Sequence, residues 1–64
     1  MCQMNVMLDQ EGEHQLVMEG VTLLEVKNGG VEISTLFDAP KQINNVVVTS
    51  IDFNSGKVIL STTE

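Results

Sequence analysis

The chain has 64 residues, with three Lys against nine Asp or Glu, for a net charge of −6. A chain this short is one domain and buries only ~60% of the surface its unfolded form exposes. A metal, a partner subunit or an unusually good core must reinforce it, because one Cys cannot make an internal disulfide. Three scattered lysines and two Phe as the only aromatics argue against a counterion-releasing nucleic-acid surface or a base-stacking platform.

The opening "MCQMNVMLDQEG" predicts a strand over Met4–Asp9, with Met4, Val6 and Leu8 on one face and Asn5, Met7 and Asp9 on the other. Gln3, Asn5, Asp9 and Gln10 interrupt any apolar leader, and no apolar run approaches the ~20 residues of a membrane span. Position 2 is not Gly, so the start is not a myristoylation signal. A turn around Gly12 leads to a strand at His14–Val17, then a break at Glu19-Gly20 and a strand at Leu23–Lys27. Gln15–Leu24 also admits a helical turn.

"KNGG", Lys27 to Gly30, is the strongest hairpin signal, since Asn-Gly favours the positive φ of a tight turn. A strand follows at Val31–Phe37, then a loop around Pro40. The last two strands are Val46–Phe53 and Lys57–Thr62, joined by the turn "NSGK". Five or six short antiparallel strands in so small a chain predict an all-β fold, one small closed or nearly closed barrel over residues 1–64, because closure removes exposed sheet edges.

Leu24 and Val26, Val31, Ile33 and Thr35, and Val58 and Leu60 supply further one-faced sets. The strand from Val46 is less clean, with Val47, Ile51 and Phe53 on one face and Val46 and Val48 on the other. Met7, Leu36, Val46, Val48 and Ile59 are then candidates for a second apolar surface. On a barrel this small, such a surface suggests a homodimer seam.

Cys2 is the residue with the most chemistry to offer. It shares parity with Met4, Val6 and Leu8, so one reading is a small buried side chain. The other uses the chain terminus. With Met1 removed, the amine and thiolate of Cys2 close a five-membered chelate. With Met1 retained, its amine, the Cys2 amide and the sulfur form fused rings. Such N/S sets suit nickel or copper in square-planar geometry, or zinc in tetrahedral geometry. One chain has too few donors, and a two-fold dimer doubles them.

His14, the only imidazole, sits among Glu11, Glu13 and Gln15 and reads as solvated or as a supplementary ligand. Glu11, Glu13, Glu19, Glu25, Glu32 and Asp38 read as a solvated exterior. No phosphate loop, dinucleotide fingerprint or nucleophile elbow occurs, so an enzyme is not expected. A lone thiol without secretory features points to a reducing compartment, the cytoplasm.

The Met-Cys start, "VML", "VTLLEV", "VEISTLF" and above all "TSIDFNSGKVIL" resemble the CooT family of small nickel-binding proteins over essentially the whole chain. The resemblance implies an SH3-like or Sm-like barrel, a homodimer, and a Ni2+ site dependent on Cys2. It also implies a link to carbon monoxide dehydrogenase maturation, with a nickel enzyme or its maturation factors as partners. Only Cys2 carries over as a metal position. "LFDAP" departs from the glycine-containing loop of the family. The expectation is therefore a nickel metallochaperone or store with Met1 and Cys2 as the metal residues. The alternative is a barrel module binding RNA or a protein, with Cys2 only packed. The family also carries an RNA-binding label, against which the acidic charge weighs.

Overall fold

In the computed structural model, which describes residues 3–63, the β-branched and Leu-rich pieces between glycine turns form six strands. They are β1 (Met4–Gln10), β2 (Glu13–Lys27), β3 (Gly30–Thr35), β4 (Lys41–Asn44), β5 (Val46–Asp52) and β6 (Lys57–Thr62). All belong to one sheet, curled into a small barrel, in the order β4-β3-β2-β1-β6-β5. The all-β barrel expected from the sequence is what the chain forms. One pairing departs from the antiparallel expectation: β1 and β6 run parallel, from Asn5 opposite Lys57 to Asp9 opposite Ser61.

The strand inventory differs in two places. The pieces expected at His14–Val17 and Leu23–Lys27 are one 15-residue strand, with no helical turn between them. Gly20, at φ 68°, bends that strand, so that its first half pairs with β1 and its second half with β3. Glycine reaches this φ without the steric clash a Cβ brings. The second difference is β4, which lies in the stretch read as loop and pairs with β3 from Gly30 opposite Asn44 to Ile33 opposite Lys41.

Only Asn45, at φ 63°, separates β4 from β5. Asparagine tolerates this left-handed conformation better than most residues. The Asn45 amide donates to the Gly29 carbonyl at 2.5 Å, and the Asn45 carbonyl accepts from the Thr63 amide at 2.9 Å. One residue thus turns the chain from one side of the curled sheet to the other and ties both sides to itself.

The buried core is Val6, Val21, Val31, Ile33, Val46, Val58 and Leu60. Met4, Leu8, Val17, Met18, Leu24, Ile43 and Val48 pack around it. Full burial of a side chain of this kind contributes about 1.5–3 kcal/mol. Among the described residues no polar or charged side chain is buried.

The expected second apolar surface is corrected in part. Val46 is in the core and Val48 packs against it, while Met7 and Ile59 are half-buried. Of that set only Leu36 is exposed. Among the described residues the exposed large apolar side chains are instead Leu16, Leu23, Val26, Leu36, Phe37, Val47, Ile51 and Phe53. The corner at Asn45 turns the even-numbered valines inward. The bulge between Val48 and Ser50 then breaks the alternation, with the Thr49 hydroxyl donating to the Ile59 carbonyl at 3.1 Å. Val26 shares a face with Leu24 but stands one residue before the hairpin, in the lining of an open groove with Val31 and Val46 to Val48.

Candidate metal centre

Met1 and Cys2, the residues singled out as metal ligands, lie outside the described residues. What is described is how the chain enters β1. Met4 pairs with Val21, and Val21 pairs with Thr35. One residue on, Asn5 pairs with Lys57, and Lys57 with Asp52. The residues that follow Thr35 and Asp52, namely Leu36-Phe37 and Phe53, therefore belong to the end of the sheet where β1 begins. Phe37 is 90% and Phe53 83% exposed, so both phenylalanines of the chain lie outside the core at this end.

Two side chains shape the loops there. The Thr35 hydroxyl oxygen accepts from the amides of Phe37 at 3.1 Å and Asp38 at 2.9 Å, and the hydroxyl donates to the Asp38 carboxylate at 3.3 Å. Asp52 Oδ1 accepts from the amides of Asn54 at 3.0 Å and Ser55 at 3.1 Å. These bonds favour the charged carboxylate. The Ser55 amide, aided by the Ser55 hydroxyl, the Asn54 amide and the charge of Lys57, holds the Asp52 pKa below the usual carboxylate range.

The Asp52 turn reaches the chain start through the backbone. The Gly56 amide donates to the Asp52 carbonyl at 2.8 Å, and the Gly56 carbonyl accepts from the Asn5 amide at 2.7 Å. Gln3 passes between two glycines. Its carbonyl oxygen lies 3.5 Å from where a Cβ on Gly56 would stand, and its side-chain Oε1 lies 3.9 Å from the corresponding point on Gly20. Gly56, at φ 72°, holds the left-handed conformation that closes this turn.

His14 lies at the other end of β1. It is exposed and pairs across the hairpin with Asp9, Nε2 to Oδ2 at 3.7 Å. Asp9 is five positions beyond Met4, about 16 Å along a strand. The imidazole is thus remote from the start of β1. Glu25 and Glu32 face each other across β2 and β3, and Lys27 Nζ lies 3.5 Å from the first and 3.6 Å from the second. Among the described residues no group of three or more His, Cys, Asp or Glu could hold a metal ion. No described helix is long and apolar enough to cross a membrane.

Sequence reasoning found the "NSGK" turn but not its link to Asn5. The signal was present as Asp52 two residues before Asn54, the spacing of an Asx turn, but its backbone contact with the chain start is not local.

Four chains of solved structures match this one. Among them, the crystal structure of a CooT candidate from Carboxydothermus hydrogenoformans superposes with a TM-score of 0.86 at 16% identity, covering 98% of this chain and 100% of that chain. At that identity the likeness shows the shared fold. A comparison with curated proteins returns no match. The family described as CO dehydrogenase accessory protein CooT matches residues 1–61, and the chain belongs to that family.

Proposed function

We propose that this chain is a cytoplasmic, homodimeric nickel-binding protein that serves CO dehydrogenase maturation as a metallochaperone or nickel store. The Cys2 thiolates of two protomers hold one Ni2+, which is cargo and not a resident cofactor. The terminal amine, from Met1 or from Cys2 after Met1 is removed, completes the chelate. The role is delivery or storage, not catalysis.

The observation that supports this reading is the pairing register at the start of β1. It gathers Leu36, Phe37 and Phe53, all strongly exposed, at the end where β1 begins. Large apolar side chains left in water on a domain with so small a core favour association. An isologous contact there puts the β1 starts of both protomers beside one interface. A thiolate with an adjacent amine matches the N/S donors that nickel accepts. The family description, an accessory protein of CO dehydrogenase, supports the link to that enzyme.

The test is titration with Ni2+, followed by thiolate-to-nickel absorption and by sedimentation. The expected result is one ion per two chains, with proton release and affinity falling as pH drops. Nickel binding by Cys2→Ala as tight as that of the parent, or a nickel-loaded monomer, overturns the reading.

A further inference from the structure

We infer that the mouth of the barrel opposite the start of β1 binds an arginine side chain presented by a partner protein, with the Glu11 carboxylate as its ionic contact. Strands β1, β4 and β6 all end at this mouth, and β5 begins there. Between them lies an open cleft of about 600 Å³, within the ~300–1,000 Å³ usual for ligand pockets. Its floor is apolar: Val46 is buried, and Leu8 and Ile43 pack against the core. Its rim is polar, with Gln10 and Glu11 from the first hairpin and Asn44 and Asn45 from the corner between β4 and β5.

The lining selects the occupant. Glu11 is the one charged residue on it, and no lysine reaches it. An anion finds no counter-charge there, on a chain of net charge −6. A cation with an apolar stem fits both parts, its methylenes on the floor and its head at Glu11. A guanidinium fits better than an ammonium. Its planar fork of donors can meet the carboxylate and the carboxamide oxygens of the rim together. The Asn44 carboxamide is already oriented, because Gln42 Nε2 donates to its Oδ1 at 3.2 Å. That oxygen keeps a second lone pair for a ligand. A cleft of this size also has room for the residues flanking the arginine. The choice of a protein as its source rests on the accessory role of the family.

Glu11 itself stands where a turn would choose another residue. With φ 54°, and Gly12 after it at φ 82°, it makes the two-residue loop between Gln10 and Glu13. Such loops favour Asn, Asp or Gly at the first place. Among the described residues the Glu11 side chain has no hydrogen bond or ion pair to offset this. Strained backbone of this kind clusters at ligand sites.

The experiment titrates the metal-free full chain with the peptide acetyl-Gly-Arg-Gly-amide, followed by amide chemical shifts, so its result does not depend on nickel. Saturable shifts are expected at Glu11, Asn44 and Asn45, and none at Lys57, which lies at the opposite end of the sheet. Citrulline in place of the arginine, which removes the charge at constant shape, is expected to weaken binding about tenfold or more. A lysine peptide and acetyl-arginine-amide are both expected to bind more weakly than the arginine tripeptide. Glu11→Gln is expected to lose affinity as citrulline does, while Glu19→Gln, an exposed carboxylate outside the cleft, stays parental. Glu11→Asn, which supplies the preferred Asn-Gly loop, is expected to raise the denaturant midpoint and still weaken the peptide. A residue serving the turn alone would not show that split. No saturation at the cleft, parental affinity in Glu11→Gln, or a citrulline or lysine peptide bound as tightly overturns the proposal. Equal losses in Glu19→Gln and Glu11→Gln overturn it as well, since the attraction is then to net charge. Acetyl-arginine-amide bound as tightly as the tripeptide overturns the protein source in favour of a free guanidinium compound.

Discussion

Gly30 and Ile43 approach so closely across β3 and β4 that no side-chain atom fits between them. A Cβ on Gly30 would collide with the Ile43 carbonyl oxygen and lie 2.9 Å from the Asn44 Cα. Both obstacles are backbone, so they cannot rotate away. Gly30 also pairs with Lys27 at the hairpin, which leaves it no room to retreat. Gly30→Ala is expected to cost about 3 kcal/mol, the upper part of the overpacking range. Denaturant unfolding would check this, with Gly29→Ala as a contrast, since a Cβ there meets nothing within 4 Å and only its φ of 79° is strained.

Leu60 is fully buried in β6, between the parallel contact with β1 and the antiparallel contact with β5. Leu60→Ala is expected to cost about 2–5 kcal/mol. The whole domain is worth roughly 3–10 kcal/mol at typical per-residue stability. Denaturant unfolding followed by far-ultraviolet circular dichroism should therefore show a large drop in midpoint for Leu60→Ala and a much smaller one for Ile33→Val, at about 1 kcal/mol.

Asn45 carries the corner between β4 and β5 with backbone bonds alone. Asn45→Gly is expected to be close to neutral, since glycine reaches φ 63° freely. Asn45→Val forces a β-branched residue into the same conformation and should cost about 1–2 kcal/mol. The difference in denaturant midpoint between the two variants measures it.

The exposed phenylalanines predict an association phenotype without a folding one. Phe37→Ser with Phe53→Ser is expected to shift the sedimentation of the protein toward monomer. Its unfolding should change by no more than about 0.5 kcal/mol at equal monomer content, the range of ordinary surface substitutions. Unchanged sedimentation would show that this end of the barrel is not the seam.

Asp52 predicts the sign of one pH effect. Its folded-state pKa is depressed, so the unfolded chain binds the proton more readily. The carboxylate thus adds stability above the ordinary carboxylate range, and that stability is lost as pH falls through the lowered folded value. Thermal midpoints of the parent should fall more steeply in this acid window than those of Asp52→Asn, with the two curves running parallel near neutral pH.

Much of the barrel was legible because alternation is a local property. Met4, Val6 and Leu8, Val31 and Ile33, and Val58 and Leu60 all lie in or against the core as their spacing requires. β6 has the bounds read from the sequence, set by the glycine turn before it. β4 was not legible, because Pro40 and Lys41 look like loop, and Gln42 and Asn44 hide the single apolar residue Ile43. The long β2 read as two strands, because Gly20 is as good a turn residue as a bend residue, and only its two different partners decide between them. Met1 and Cys2, singled out from the sequence for their donor chemistry, lie outside the described residues. The neighbours of the start of β1 were not legible, since Phe53, Asp52 and Gly56 are some fifty residues away in sequence.

By itself the sequence determined an all-β chain, the places where it turns, and the one-faced pattern of β1, β3 and β6, because steric preference and side-chain parity act between neighbours. The tertiary structure alone decided which face of β5 is inside, that β1 and β6 run parallel, and that the start of β1 shares an end with Phe37 and Phe53. These depend on pairing between distant segments. Parity states that two faces differ, but only the strand on the other side of a ladder states which of them is covered.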